Sequence, residues 1–327
     1  MKAMRLHRPG QPLILEEVDR PTPLPDEVLI RVRACGVCRT DLHIVDGDLP
    51  AHVLPLIPGH EIVGEVIQAG AEVTTLRIGQ RVGVPWLGRT CGTCEYCTSG
   101  RENLCDRPAF TGYDLDGGYA EFAVAHAAAC IPLPDNLGDS HQAPLLCAGL
   151  IGFRAYRAAG PVKTLGIIGF GAAAHIIAQI ARSDGVKIFA FTKPSDEAAR
   201  RFALDLGAAW AGGSDQSPPG RLDAVIIFAP DGSLVPRALQ LVRKGGRVVC
   251  AGIHMSDIPA FPYFDLWGER HICSVANLTR ADAADFFARI QTIELKTVVV
   301  PYALSDANVA LSDLRDGRLN GAAVLVL

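Results

Sequence analysis

The sequence predicts an α/β protein of two domains, in which a doubly wound parallel sheet follows an irregular, mainly antiparallel β-domain. The chain has 327 residues, more than most single domains contain. Short β-rich segments separated by Gly and Pro occupy the N-terminal part, whereas strands and helices alternate from residue 164 onward. Where the pattern changes, an apolar run passes through a Gly-x-Gly-x-x-Ala turn into an Ala/Ile helix over residues 164–181. These three observations together predict the fold class.

Composition and charge are those of an ordinary globular chain. Apolar residues make up 49% and charged residues 20% of the sequence. A net charge of −4 argues against a nucleic-acid-binding surface, which normally carries a basic excess. The chain opens without a recognisable secretion leader and has no apolar run of about 18 residues, so we expect no membrane span. Ten Cys without such a leader indicate metal ligands or free thiols, and therefore a cytoplasmic location.

The N-terminal domain is predicted to consist of short strands. Residues 2–8 and 12–19 form a predicted strand pair, and residues 27–37 alternate as a half-buried strand does. Residues 61–84 contain two further β-rich runs interrupted by Gly, and residues 119–134 return to β character. Such short strands, separated by Gly and Pro, are typical of an irregular antiparallel domain.

Potential metal ligands and proton-transfer groups are concentrated between residues 38 and 61. They are Cys38, Thr40, Asp41, His43, His60 and Glu61. Cys and His, with an occasional carboxylate, are the ligands of a catalytic zinc, which takes three protein ligands and keeps one position open. A third ligand has to come from elsewhere, and Cys147 is the best candidate. An isolated Cys or His is usually a buried structural residue, but several such groups together favour a metal site.

The most specific motif is a run of four cysteines with the spacing C-x2-C-x2-C-x7-C, namely Cys91, Cys94, Cys97 and Cys105. Four thiolates in this Gly-rich loop can surround one zinc tetrahedrally, and a site closed in this way is structural. An iron–sulfur cluster is an alternative, since thiolates also hold these centres. A redox-active CxxC pair is disfavoured because no βαβ unit is adjacent. We therefore expect zinc.

The second half of the chain begins with a dinucleotide-binding motif. Residues 141–160 are compatible with helix, and Gly160-Pro161 breaks that pattern. In the motif itself, Gly169 permits a tight turn, Gly171 lets the backbone approach a pyrophosphate, and the small Ala174 allows close packing of helix and strand. The following helix presents its N-terminus to the phosphates.

Strands and helices then alternate to the end of the chain. Strands are predicted at 187–192, 223–230, 246–252 and 271–277, and helices at 195–206, 233–243 and 279–292. Strands rich in Val and Ile that alternate with helices indicate a parallel, doubly wound sheet. The last stretch, 297–327, reads as strand, helix and strand and is predicted to rejoin the N-terminal domain.

These motifs occur in the order found in the zinc-dependent medium-chain alcohol dehydrogenases of bacterial type. They are GVCRTDLH at 36–43, PGHE at 58–61, the four-cysteine run, LLCAG at 145–149 and GFGAAA at 169–174. With the later βα alternation and the closing DLRDGRLNGAAVLVL, the chain resembles this family over essentially its whole length. The resemblance implies a Rossmann domain over 156–292, and a GroES-like catalytic domain made of 1–155 and 293–327.

The resemblance also implies a role for each site residue. The catalytic zinc is assigned to Cys38, His60 and Cys147, and the structural zinc to the four-cysteine run, which makes two zinc ions per chain. The resemblance further implies that Glu61 approaches the metal during ligand exchange and that Asp41 orients His60. It implies that Thr40 contacts the substrate oxygen and that His43 passes the proton to solvent through the cofactor ribose. Trp86 is implied to line the substrate pocket. The implied reaction is hydride transfer between an alcohol and NAD(P), or the reverse from an aldehyde or ketone.

Two positions depart from the pattern of many family members. The second strand of the Rossmann domain ends in Thr192-Lys193 rather than in an acidic residue, which favours NADP over NAD because a carboxylate would repel the extra phosphate. The chain closes with Gly321-Ala322, where many relatives carry Gly-Arg for the pyrophosphate. His175 is a candidate to replace that Arg, but its position just inside the helix predicts a histidine on the helix surface.

Three alternatives bear on function and assembly. A zinc-free quinone or enoyl reductase shares the two-domain fold, but it would not need Cys38, His60 and Cys147 together. A zinc-binding interaction protein without enzymatic activity would bind no nucleotide. For the enzyme we expect small-molecule alcohols, aldehydes or ketones as partners, no nucleic acid or membrane, and a homo-oligomer, either dimer or tetramer.

Overall fold

The computed structural model describes residues 1–49, 53–319 and 321–327. The chain divides into two compact units. The first unit comprises Met1–Cys147, Asn277–Gln291 and Thr297–Leu327, and the second comprises Ala148–Ala276 and Thr292–Lys296. These bounds differ from the predicted ones chiefly in the segment 277–291, which packs with the first unit.

Short strands dominate the first part of the chain. Its elements are β1 (Lys2–Arg5), β2 (Ile14–Glu17), β3 (Glu27–Val37), α1 (Arg39–Asp46), β4 (Glu61–Ala69), β5 (Arg81–Val84), β6 (Leu87–Arg89), α2 (Glu95–Thr98), β7 (Ala109–Phe110), β8 (Phe122–His126), β9 (Ile131–Pro132) and α3 (Asp139–Gln142). A short 3₁₀ segment, Ala143–Leu146, leads to Cys147.

Helices and strands alternate in the second part. Its elements are α4 (Ala148–Ala159), β10 (Thr164–Ile168), α5 (Ala172–Ser183), β11 (Lys187–Thr192), α6 (Glu197–Asp205), β12 (Trp210–Gly213), β13 (Leu222–Ile227), α7 (Leu234–Leu241), β14 (Val242–Cys250), α8 (Tyr263–Leu266), β15 (His271–Ser274), α9 (Arg280–Ile290), β16 (Val299–Ala303), α10 (Ala307–Arg315) and β17 (Ala322–Val326).

The first unit is built on a seven-stranded sheet. Its order is β16-β17-β3-β4-β5-β9, with β8 also paired to β3. Every described pair is antiparallel except β16 with β17, which is parallel. In the register of β3 and β4, Gly36 lies directly opposite Glu61. The chain leaving β3 at Cys38 and the chain entering β4 at His60 are therefore neighbours, although they are 22 positions apart in sequence.

The second unit contains a six-stranded parallel sheet of order β12-β11-β10-β13-β14-β15. In chain order this is the 3-2-1-4-5-6 arrangement of a dinucleotide-binding domain. Its four central strands, β11, β10, β13 and β14, contribute buried residues to the two apolar clusters that flank the sheet. The predicted doubly wound parallel sheet and the mainly antiparallel β-domain are both confirmed.

Polar contacts hold α9 to the first unit. The Arg280 backbone N–H donates to Glu102 Oε1 at 2.7 Å, and Arg280 Nε donates to the Ala128 carbonyl at 2.9 Å. The periodicity of residues 279–292 predicted the helix but carried no information about its neighbours.

Among the described residues, no helix combines the length and apolar character needed to cross a membrane.

Candidate active site

The site begins at the N-terminus of α1, where Cys38 is the capping residue. Cys38 Sγ accepts a hydrogen bond from the Thr40 backbone N–H at 3.3 Å, and the Cys38 backbone N–H donates to Asp41 Oδ2 at 2.8 Å. This is a capping box in which a cysteine takes the place of the usual Ser or Thr. The helix start therefore fixes the position of the Cys38 sulfur.

His60 lies between Cys38 and Asp41. Its Nε2 is 3.2 Å from Cys38 Sγ, and its Nδ1 is 3.1 Å from Asp41 Oδ1. His60 and Asp41 are both completely buried. A carboxylate on one ring nitrogen fixes the orientation of the imidazole and directs the other nitrogen at a metal. Asp41 thus contacts both a cysteine and a histidine of the candidate metal site.

Cys147 and Glu61 complete this group. One donor atom from each of Cys38, His60, Glu61 and Cys147 lies within 4.8 Å of all the others. Cys147 follows the 3₁₀ segment Ala143–Leu146, which lies against β3, β4 and β5 within the first unit. Packing therefore brings together two cysteines that are more than 100 positions apart in the sequence.

The electrostatics of this group fit a bound cation. A hydrogen bond from the Cys147 thiol and the charge of His60 hold the pKa of Cys38 well below its usual value. Together they outweigh burial, which acts in the opposite direction. The same hydrogen bond, together with burial, raises the pKa of Cys147. Burial opposes the charge on His60, yet Cys38 and Asp41 outweigh it and raise its pKa. Burial and the charge of Cys38 raise the pKa of Glu61. Thiolate and imidazole donors select zinc rather than magnesium or calcium, so these residues fit the zinc that the family implies.

The four-cysteine loop, Cys91–Cys105, forms a second group of this kind. Its four sulfur atoms lie within 4.8 Å of one another, with Sγ–Sγ distances of 3.9 Å for Cys91–Cys97 and 4.0 Å for Cys94–Cys105. All four are free thiols. Tetrahedral zinc with Zn–S bonds of about 2.3 Å requires about 3.8 Å between sulfurs. The loop geometry therefore fits one zinc with no open position.

Backbone amides prepare one sulfur of this loop for a metal. The Thr93 and Cys94 backbone N–H groups lower the pKa of Cys91 to about 5. Burial raises the pKa of Cys97 to about 12. Thiolate is the form that binds metal, so zinc binding at this loop has to release the Cys97 proton.

Thr40 and His43 lie one turn apart on α1. Thr40 is buried beside Cys38, whereas His43 is partly exposed, with its Nδ1 2.9 Å from Asp48 Oδ2. Both residues therefore lie on the helix that begins at Cys38, Thr40 in its buried first turn and His43 nearer to solvent.

Trp86 lies against the candidate metal site. Its ring meets His60 edge-on with centroids 5.0 Å apart, and it stacks on Phe110 at 4.9 Å and on Tyr113 at 5.7 Å. The sequence pointed to Trp86 but not to Phe110 or Tyr113. Those two residues belong to the two-residue strand β7 and the loop after it, where no periodicity marks a side chain as part of a site.

The dinucleotide-binding motif has the predicted conformation in the second unit. Gly169 adopts a φ of 89°, and an added Cβ there would lie 3.0 Å from the Ala229 backbone nitrogen. Gly171 caps α5, and an added Cβ there would contact nothing within 4 Å. Ala174 is fully buried. A tight turn, an open helix N-terminus and close helix packing are the features that receive a pyrophosphate.

The end of β11 presents a buried hydroxyl and an exposed lysine, with a partly buried arginine nearby. Thr192 is buried, and its Oγ1 donates to the carbonyls of Lys193 at 3.1 Å and Asp196 at 3.4 Å. Lys193 is exposed, and Arg200 on α6 donates to the Pro194 carbonyl at 3.0 Å. The sequence had not singled out Arg200, since one Arg in a polar helix carries no signal.

His175 is not on the helix surface, and this prediction was wrong. The side chain is fully buried and packs against Phe202 with ring centroids 5.9 Å apart. Burial lowers its pKa to about 4, so it is neutral near pH 7. It therefore cannot replace the positive charge missing at Ala322. Phe202 belongs to α6, which covers this part of α5, and the position of residue 175 in its own helix does not report that contact.

Proteins of known family resemble this chain over its length. The alcohol dehydrogenase GroES-like domain model matches residues 24–135. A Mycobacterium tuberculosis protein named "Probable alcohol dehydrogenase AdhA" is 46% identical over 340 residues, covering 100% of this chain and 97% of that protein. Acetophenone reductase from Geotrichum candidum, solved in complex with NAD, is 29% identical with a TM-score of 0.89, covering 100% of this chain and 97% of that one.

A second solved structure contains the other cofactor. A protein from Sinorhizobium meliloti 1021 bound to NADP is 27% identical with a TM-score of 0.87, covering 100% of this chain and 99% of that one. Identity of 46% over the full length, with both cysteine groups and the dinucleotide-binding motif in place, establishes the relationship. The chain belongs to the zinc-dependent medium-chain alcohol dehydrogenase family.

Proposed function

We propose that this protein transfers a hydride between an alcohol, or the corresponding aldehyde or ketone, and NAD(P) at a catalytic zinc. The observation that carries this proposal is the convergence of Cys38, His60 and Cys147 beside Thr40. Three protein ligands and an open fourth position characterise a catalytic zinc. A zinc-free reductase has no use for this ligand set, and an interaction protein has no use for the dinucleotide-binding motif.

Bound zinc would act as a Lewis acid on the substrate oxygen, and bound nicotinamide would accept the hydride. Cys38, His60 and Cys147 hold the metal, and Asp41 keeps the His60 ring in place. Glu61 stays within reach for ligand exchange. His60, Asp41 and Glu61 are buried, which limits the access of water from their side of the site, whereas Cys38 and Cys147 are partly exposed.

The proton of the alcohol leaves along α1. Thr40 Oγ1 would accept it from the substrate oxygen and pass its own hydroxyl proton on, and the His43 imidazole would release a proton to solvent. The contact of His43 Nδ1 with Asp48 Oδ2 at 2.9 Å steadies the ring in this position. Trp86, with Phe110 and Tyr113 behind it, forms an apolar wall next to His60 that contacts the carbon skeleton of the substrate.

The protein accepts NADP as its cofactor at least as well as NAD. Gly169 and Gly171 would hold the pyrophosphate of the cofactor at the N-terminus of α5, and the small Ala174 allows close packing of this helix. Lys193 supplies positive charge for the extra phosphate at the end of β11, and Thr192 shapes the adjacent backbone through its two hydrogen bonds. We expect Lys193→Ala to lower kcat/KM for NADP while leaving that for NAD nearly unchanged. A clear wild-type preference for NAD would refute this part.

The chain holds two zinc ions, works in the cytoplasm and assembles with copies of itself. The second zinc occupies the four-cysteine loop. All ten cysteines are free thiols, as in a reducing compartment. Strand β15 is an edge of the parallel sheet, and Tyr263, Phe264 and Trp267 nearby are each more than half exposed, which supports a dimer or tetramer. Light scattering on the purified protein measures the assembly state.

An activity screen tests the main proposal. Alcohols, aldehydes and ketones are assayed with both cofactors, alongside zinc analysis of protein purified without added metal. Wild type should turn over at least one alcohol–carbonyl pair, whereas Cys38→Ala should be inactive but folded. The matched variant Cys94→Ala removes a sulfur from the other cysteine group and should chiefly reduce stability. Equal activity of Cys38→Ala and wild type would refute the catalytic assignment.

A further inference from the structure

The space above Gly36 is filled by the side chain of Glu61. These two residues lie directly opposite each other on β3 and β4. An ideal Cβ added to Gly36 would lie 1.7 Å from Glu61 Oε2, 2.7 Å from its Cδ and 3.0 Å from its Cβ. The three nearest atoms all belong to Glu61. The glutamate side chain therefore crosses the Gly36 backbone where a side chain of residue 36 would otherwise stand.

Backbone conformation does not explain this glycine. Gly36 is not among the glycines with positive φ. Residue 36 is the next-to-last residue of β3, and glycine within a strand is normally unfavourable because it has no side chain to pack. In antiparallel strands, the side chains of directly opposite residues point to the same face and contact each other. What distinguishes glycine at this position is the room that it leaves.

That room determines where the Glu61 carboxylate lies. Glu61 is buried, and one carboxylate oxygen lies within 4.8 Å of the donor atoms of Cys38, His60 and Cys147. A side chain at residue 36 would displace the carboxylate from this position.

We propose that Gly36 is a positioning residue for Glu61. Because Gly36 has no side chain, the Glu61 side chain can occupy that space and its carboxylate can reach the zinc ligands. This inference rests on the proposed function, because it assumes zinc at Cys38, His60 and Cys147. It assigns Gly36 no contact with substrate or cofactor. Its whole effect is transmitted through one carboxylate.

A double-mutant cycle tests this inference with Gly36→Ala, Glu61→Ala and the double variant. The thermal unfolding temperature, the rate of zinc release to a chromophoric chelator and kcat are measured for each protein. Gly220→Ala is the matched control, since its added methyl would contact nothing within 4 Å. The zinc in the four-cysteine loop provides an internal reference for chelation. Unfolding temperature and zinc release remain informative even if no dehydrogenase activity is found.

We expect Gly36→Ala to unfold several degrees below wild type, and addition of Glu61→Ala to reverse most of that loss. We expect zinc release from the catalytic site to be about tenfold faster in Gly36→Ala, as when a residue that supports metal ligands is lost. Glu61→Ala and the double variant should show the same rate and the same kcat as each other. Wild-type behaviour of Gly36→Ala would overturn the proposal, and so would losses that multiply in the double variant. If Gly36→Ala fails to fold, a folded double variant supports the proposal and an unfolded one overturns it.

Discussion

Buried His175 makes the stability of this protein depend on pH in a predictable direction. Its side chain is fully buried on α5, and burial lowers its pKa from 6.5 to about 4. Above pH 6.5 the histidine is neutral in both the folded and the unfolded chain, so it contributes no pH dependence. As the pH falls below 6.5, the unfolded chain binds a proton before the folded one does. Folding is therefore progressively destabilised until the pH reaches about 4, below which both states are protonated.

The magnitude follows from the difference between the two pKa values. Each pKa unit corresponds to about 1.4 kcal/mol, so the full effect is about 3 kcal/mol. Between pH 7.5 and pH 5.0 the free energy of unfolding should fall by about 2 kcal/mol because of this one residue. That is a sizeable part of the stability of a typical protein.

The assay compares wild type with His175→Gln, whose side chain stays neutral over this range. Urea unfolding is followed by circular dichroism at both pH values. The difference in unfolding free energy between the two proteins isolates residue 175, because other titrating groups and any loss of zinc affect both alike. We expect the wild type to lose about 2 kcal/mol more than the variant on acidification. An equal loss in both proteins would show that His175 is protonated in the folded state and would refute this reasoning.

Three further predictions follow from individual contacts. Cys94→Ala should bind one zinc fewer by elemental analysis and unfold at a lower temperature, because a structural zinc contributes folding energy directly; an unchanged zinc content would contradict a metal at the four-cysteine loop. Thr40→Ala should slow alcohol oxidation about 100-fold or more. His43→Ala should slow it less and change the pH profile of kcat, because water can replace the imidazole. If both variants keep the wild-type rate and pH profile, the proton leaves by another route. Tyr119→Phe should leave the free energy of unfolding unchanged or raise it by about 1 kcal/mol. The reason is that the buried Tyr119 hydroxyl has no hydrogen-bond partner among the described residues. A clear loss of stability on denaturant unfolding would contradict this.

The sequence by itself determined the features that depend on neighbouring residues. The spacing of Cys91 to Cys105 constrains four sulfurs to one short loop, whatever the rest of the chain does. The turn from Gly169 to Ala174 is encoded in the same local way, since glycine conformation and helix start depend on a few adjacent residues. The alternation of Val- and Ile-rich strands with helices required a parallel sheet, because crossover connections place a helix between parallel strands.

Only the tertiary structure decided which distant residues meet. The motif LLCAG predicts Cys147 as a ligand of the catalytic zinc. Its sulfur comes close to Cys38 only because the segment before it packs against β3, β4 and β5. No sequence pattern reports that Glu61 lies over Gly36, that α9 packs with the first unit, or that α6 covers His175. These contacts depend on how whole elements bury their apolar surfaces against each other. Local sequence specifies an element and its faces, whereas the partner of each face is determined by the packing of the entire core.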